Sequence, residues 1–354
     1  MDIDIVRTAS PRAKPLDKDV LGFGRIFTDH MFMMEYDEGR GWHSPRIEPY
    51  RNLSIDPASP ALHYGQQIFE GLKAYRSPQG EILLFRFREN AERLNRSADR
   101  MCMPIADVDA QCAAIETLVR LERDWVPQGS GRSLYLRPAM IADGSALGSH
   151  PARRYLYFII CSPVGAYFNK GLAPISIHVE DENVRAVRGG VGYAKTGGNY
   201  AASFKGAARA AERGFDQVLW LDGVERRYVE EVGAMNMMFL IGDVLCTPSL
   251  EGSILPGITR DSVLRLARDM GMRTEERRIS IEELLAAGRS GELKEAFGTG
   301  TAAVVAPVGE LGYKGQRMKI GGGETGPVAG KLYEALTAIQ QGRADDPHDW
   351  VTRV

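Results

Sequence analysis

The feature that most constrains this chain is a run of short apolar segments between residues 217 and 249, separated by turns of a few residues. QVLWL is followed by Asp222-Gly223, then by RYVEEV, MNMMFLI and VLCTPS. Turns this short between strand-like segments predict antiparallel hairpins. Earlier in the chain the periodicity changes. EILLFRF over 81–87 reads as a strand, and from Phe87 the apolar residues Phe87, Ala91, Leu94, Ala98 and Met101 recur at helical spacing, up to Pro104. Two more strands are predicted at SLYLRPAMI and RRYLYFIICS, a helix at AASFKGAARAAERG ending at Gly214, and a helix over about 259–270. Another helix opens on the capping box Ser280-x-x-Glu283. Strands and helices mix without a regular βαβ alternation, which predicts an α+β fold.

A length of 354 residues suits about two domains. The loop PVGAYFNKGLAP, with breakers at Pro163, Gly165, Gly171 and Pro174, is the best candidate for the link between them. Domains are therefore expected at 1–165 and 176–354, joined through 166–175. A net charge of −2 shows no basic bias, so nucleic acid is not expected as a partner. Cys102, Cys112, Cys161 and Cys246 are too scattered for a zinc site and read as free thiols of a reducing compartment. The first thirty residues contain no apolar run resembling a signal peptide, and no stretch elsewhere is long enough to span a bilayer. A cytoplasmic location is expected, with neither a membrane nor a metal involved.

Several residues could carry chemistry. Lys195 sits among Gly189, Gly190, Gly192, Gly197 and Gly198, between Tyr193 and Tyr200, with no acidic neighbour. Glycine-rich backbone lets a ligand approach closely, and an amine in partly apolar surroundings is a nucleophile. Read alone, the segment is more readily a flexible surface loop with an incidental lysine. It is not a nucleotide-binding P-loop, because Ala194 stands where the glycine before the lysine is required. FGTGTAA over 297–303 matches a relaxed dinucleotide fingerprint, but GELKEAF before it does not read as a buried strand, and strand and turn follow it. A Gly-Thr turn offering N–H groups to a phosphate fits better, with an ordinary tight turn as the alternative. Ile258 and Thr259 open a helix after Pro256-Gly257, and a helix start suits an anion. Arg93 shares its helix with Arg96 and Arg100, which by itself reads as a solvated basic face. Strand alternation puts Glu230 and Glu231 on opposite faces, so one of them should point inward and need a cationic or hydrogen-bonding partner.

The order HYGQQIFEGLKAYR, ERLNRSADRM, SLYLRP, PVGAYF, GGVGYAKTGGNY, QVLWLDG, EEVGAMN, ILPGITRDS and FGTGTAAVVAPV resembles the fold-type IV pyridoxal phosphate (PLP) enzymes, specifically the branched-chain amino acid aminotransferases. The resemblance spans about His63 to Trp350. It implies a D-amino acid aminotransferase-like fold, with a small N-terminal α/β sandwich domain and a larger C-terminal pseudo-barrel domain. It also implies reversible transamination of L-leucine, L-isoleucine and L-valine with 2-oxoglutarate, by a ping-pong route through pyridoxamine phosphate in a homodimer. Lys195 would form the Schiff base and shuttle the proton, and Glu231 would pair with the pyridine nitrogen. Tyr200 would meet the phenolic oxygen, while Arg93, Thr301 and the N–H groups of Ile258 and Thr259 would hold the phosphate. The substrate pocket would be lined by Phe69, Tyr167 and, across the dimer interface, Tyr64. Tyr135 and Arg137 would receive substrate carboxylates, including the distal one of glutamate, and Ala302 would offer its N–H to the α-carboxylate.

The chain departs from its relatives at four positions. Ala303 and Ala306 stand where mammalian members carry a redox Cys-x-x-Cys, which excludes that form of control. Ala234 removes a hydroxyl that several relatives have, and Ser149 replaces a common valine in ALGSHP. Two other readings are a D-amino acid aminotransferase or aminodeoxychorismate lyase on the same fold, and a catalytically silent binding protein. EGLKAYR and SLYLRP favour the branched-chain group, and the intact Lys195, Glu231 and Arg93 argue against silence.

Overall fold

Apolar residues fill both faces of SLYLRPAMIA and most of RYLYFIICSPV, so these segments form the central strands Ser133–Ala142 and Arg154–Val164, paired antiparallel. The structure, a computed structural model, describes residues 1–15, 20–165 and 172–354. It divides into two compact units, Met1–Tyr167 with Ala194–Gly197 and Ile339–Val354, and Phe168–Tyr193 with Gly198–Ala338. Among the described residues no helix is long and apolar enough to cross a membrane.

The first unit is a nine-stranded sheet. The strand His30–Asp37 pairs with Arg154–Val164 on one side of the centre, and Leu72–Arg76 pairs with Ser133–Ala142 on the other. The helices Phe87–Arg100 and Val108–Leu121 cover it. The first of these buries Phe87, Ala91, Leu94 and Ala98, the stripe expected from sequence. Asp107 caps the second through its side chain, accepting from the N–H of Ala110. The last strand of the chain, Val351–Arg353, returns to this unit and pairs antiparallel with Ile82–Phe85. Trp350 anchors it, edge-on against Phe85 and beneath the Arg86 guanidinium.

The second unit contains the strands that the hairpin run predicts: Gln217–Leu221, Val229–Val232, Met235–Ile241 and Val244–Pro248, each antiparallel to the next. Met235–Ile241 also pairs with Leu293–Gly300, which pairs with Val304–Tyr313, which lies parallel to Ile175–Glu180. Ile175–Glu180 in turn lies parallel to Gln217–Leu221, so six strands close into a ring, the expected pseudo-barrel. The parallel pairs were not legible from sequence, since their partners lie far apart in the chain.

One expectation fails here. GELKEAF does contribute a buried strand, because Leu293–Gly300 has Leu293, Glu295, Ala296 and Phe297 all inside. The misleading letter is Glu295. Its carboxylate is buried because it accepts from the N–H groups of Val328 and Ala329, at 2.9 and 2.8 Å, at the start of the helix Pro327–Gln340. The alanine-rich helix is also shorter than expected. It runs over Phe204–Glu212 after a separate turn of helix at Gly197–Ala201, and Gly214 follows it in a left-handed conformation.

Candidate active site

Lys195 is held by its backbone. Its N–H donates to the Ser97 hydroxyl at 2.9 Å, and its C=O accepts from the N–H of Phe69 at 3.0 Å. Thr196 continues the attachment, its hydroxyl donating to the Gln67 carbonyl at 2.7 Å. The Lys195 ammonium then lies 5.1 Å from the centre of the Phe69 ring. Two of the surrounding glycines serve the chain's own packing. A Cβ at Gly197 would come within 2.5 Å of the Gln67 amide, and one at Gly192 within 2.2 Å of the Ser253 carbonyl.

Arg93 is not on a solvated face. It is 3% exposed and clamps Glu70 through Nε and Nη2, both at 2.8 Å. Asn90 donates to the same carboxylate at 2.8 Å. Burial alone would raise the Glu70 carboxyl, yet Arg93, then Lys195 and Asn90, bring it below its ordinary range. Glu70 is therefore an anion set between Arg93 and Lys195, a role that its place in EGLKAYR does not reveal.

Tyr135 and Arg137 lie on the same face of Ser133–Ala142, and the guanidinium donates to the Tyr135 hydroxyl at 2.9 Å. Arg137 also stacks over Phe69, 4.6 Å from the ring centre, and its buried Nε has no hydrogen-bond partner among the described residues. Phe23, absent from the sequence-based set, packs edge-on against Tyr135 at 4.9 Å. Tyr64 closes the short helix Pro60–Tyr64 and is half exposed, its hydroxyl donating to the carbonyl of exposed Leu147. Tyr167 lies outside the described residues.

In the second unit, strand register sets Glu231 opposite Asn236 and Asn236 opposite Thr299, one polar row across three neighbouring strands. The Glu231 carboxylate accepts from the Leu255 N–H at 2.9 Å and from the Asn236 amide at 3.4 Å, and Arg185 Nε lies 3.4 Å away. The Asn236 amide also donates to the Leu255 carbonyl at 2.9 Å, tying the strand to the loop before the helix Ile258–Asp269. Gly257 caps that helix with no side chain, and a Cβ there would lie 2.0 Å from Asn236 Oδ1. The buried Thr299 hydroxyl has no hydrogen-bond partner among the described residues. Both Glu230 and Glu231 are buried, so the expectation that only one points inward is corrected. The inward turn of Glu230 is accommodated by the Ser253 hydroxyl, which donates to it. Thr301 and Ala302 follow in the turn between Leu293–Gly300 and Val304–Tyr313, and Tyr200 is half-buried in Gly197–Ala201. Asn236, Thr299 and Arg185 escape sequence reasoning. The one signal was a lone amide within the apolar MNMMFLI.

A backbone-fixed amine in the first unit and, in the second, a buried carboxylate and a helix start without a side-chain cap are each a kind of group that PLP requires of a protein. Comparison with known proteins agrees. The model of the class IV amino-transferases matches residues 67–311. Branched-chain-amino-acid transaminase 1 of Bacillus subtilis (strain 168) is 52% identical over 353 residues, covering 99% of each chain. A probable branched-chain-amino-acid aminotransferase of Streptomyces coelicolor is 51% identical, covering 93% of this chain and 91% of the relative. Among solved structures, the Escherichia coli branched-chain amino acid aminotransferase superposes with a TM-score of 0.77 at 28% identity, covering 91% of this chain and 98% of that one. A T.th. branched-chain amino acid aminotransferase complexed with N-(5'-phosphopyridoxyl)-L-glutamate does so at 0.72 and 30% identity, covering 90% and 97%. The chain belongs to the class IV aminotransferases, PLP-dependent enzymes of fold-type IV, and within them to the branched-chain amino acid aminotransferase family.

Proposed function

We propose that the chain exchanges amino groups between L-leucine, L-isoleucine or L-valine and 2-oxoglutarate, by a ping-pong route. The observation that carries this reading is the fixing of Lys195 at both its N–H and its C=O, which leaves the side-chain amine as the moving part. Bound PLP supplies the electron sink that stabilises charge developing at the substrate Cα. Lys195 Nζ anchors the cofactor and then carries the proton from that carbon. Glu231, held by the Leu255 N–H and the Asn236 amide, presents negative charge to the pyridine nitrogen and keeps it protonated. Arg93, oriented by Glu70, would hold the phosphate, as would Thr301 and the N–H groups of Ile258 and Thr259. Tyr200 would donate to the phenolic oxygen.

Phe69, Tyr64 and Tyr167 would make the apolar lining that suits branched side chains. Tyr135 and Arg137 would meet carboxylates, a role supported by the guanidinium's unengaged Nε, and Ala302 would donate its N–H. We further propose a cytoplasmic homodimer in which Tyr64 serves the neighbouring subunit, consistent with its exposure beside Leu147. Residues 166–175 would be a link between the two units, the first of which also takes in Ala194–Gly197 and Ile339–Val354. The deciding experiment incubates the holoenzyme with 2-oxoglutarate and a panel of amino acids. Glutamate should form with L-leucine, L-isoleucine and L-valine, whereas turnover of D-alanine without L-leucine would defeat the proposal.

A further inference from the structure

Glu231 is backed by a second carboxyl that the reaction as described does not use. Glu230, next to it on Val229–Val232, is buried, and its Oε1 accepts from the Ser253 hydroxyl. The Ser253 carbonyl accepts from Arg185 Nη2, and Arg185 Nε faces Glu231 at 3.4 Å. A continuous chain of contacts thus runs Glu230, Ser253, Arg185, Glu231. Along it, Glu230 Oε2 is buried with no hydrogen-bond partner among the described residues, which is costly in a core that serves stability alone. Glu230 also lines a small cavity of about 30 Å³, enough for a water molecule, whose rim includes exposed Arg188 and Glu251. The cavity wall thus runs from Glu230 to exposed side chains.

We propose that Glu230 is a positioning residue for transamination: through Ser253 and Arg185 it sets how much positive charge Arg185 presents to Glu231, and so how firmly Glu231 keeps the cofactor's pyridine nitrogen protonated. The inference rests on the reading that Glu231 faces that nitrogen. With Glu230 ionised, Arg185 is shared between two carboxylates and Glu231 keeps more of its negative charge. With Glu230 neutral, Arg185 belongs to Glu231 and weakens its hold on the pyridine proton. The groups acting on Glu230 are Arg185, Glu231 and Asp222, with Tyr228 and Arg278 also on the cavity wall. Burial is the largest influence and, against the opposing pull of Ser253 and Arg185, pushes the Glu230 carboxyl up to about 7. The switch therefore falls in the working range of an enzyme.

The test follows the absorbance of PLP bound to the holoenzyme across about pH 5.5 to 8.5, alongside the pH profile of kcat/KM, bracketing the ordinary range of a raised carboxyl. The unaltered enzyme should show an inflection near pH 7 that Glu230→Gln abolishes while PLP stays bound. Ser253→Ala removes a hydrogen bond that favours the ionised form, and should move the inflection upward by about one pH unit. An inflection unchanged in Glu230→Gln overturns the inference. Glu231→Gln separates the two readings. If it leaves the absorbance and the affinity for PLP unaltered, the assignment of Glu231 fails and the inference with it. If it changes them while Glu230→Gln does nothing, the inference alone fails.

Discussion

The chemistry proposed for Lys195 depends on what restrains it. Ser97 and Phe69 hold the peptide on both sides, so travel is confined to the side chain, over the Phe69 ring. Lys195→Ala should abolish turnover and the borohydride-stable attachment of PLP while leaving the thermal transition in place. Retained turnover would show the lysine to be misassigned. Glu70 supports a second prediction at this scale. Its carboxylate lies below the ordinary range, so the stability it contributes is present above the unfolded-state value and is lost as pH falls through the folded-state value. Glu70→Gln leaves the Arg93 charge buried with a neutral partner, which should cost about 3 kcal/mol in denaturant unfolding. The difference between variant and parent should narrow under acid, and a variant as stable as the parent at pH 7 would refute this account.

Elements position groups that single residues cannot. The row Glu231, Asn236, Thr299 exists because three strands pair in register, and Asn236 carries that register into the loop before Ile258–Asp269. Gly257→Ala would press a methyl group against Asn236 Oδ1, shift the helix start and cost about 1–3 kcal/mol. PLP affinity measured by dialysis should drop at least about tenfold, since about 1.4 kcal/mol is a factor of ten. Unaltered affinity would separate the helix start from the phosphate. At this scale the sequence was most informative about local features. The hairpins over 217–248, the helix Phe87–Arg100 and the Ser280 cap all follow from spacing and capping chemistry, and all are present. Cross-chain partnerships were not legible. Glu295 reads as a solvent-facing residue until the helix it caps, thirty-odd positions on, is in place. Arg93 reads as one of three surface arginines until Glu70 lies beside it. Family resemblance names the residues proposed to face the ligands, but not the Asn236, Arg185 and Glu70 that contact Glu231 and Arg93.

For the molecule as a whole, stability and function make opposite demands on Glu230. A carboxyl raised by burial favours its neutral form in the folded state. Its contribution is fully present below the unfolded-state value and is lost as pH rises toward about 7. Glu230→Gln, which removes the cost of ionisation, should thus stabilise the protein by about 2–3 kcal/mol at pH 8 and leave it unchanged near pH 4. A thermal scan at the two pH values checks this, and equal transitions of variant and parent at pH 8 would refute it.

The return of Val351–Arg353 to Ile82–Phe85, with Trp350 against Phe85, bears on how the polypeptide is made. The first unit is completed only after every strand of the six-strand ring has been synthesised, because its edge strand Val351–Arg353 lies later in the sequence than all six. Until Val351–Arg353 has been synthesised, the backbone groups of Ile82–Phe85 on that edge remain open to other chains, a natural place for a chaperone to be needed.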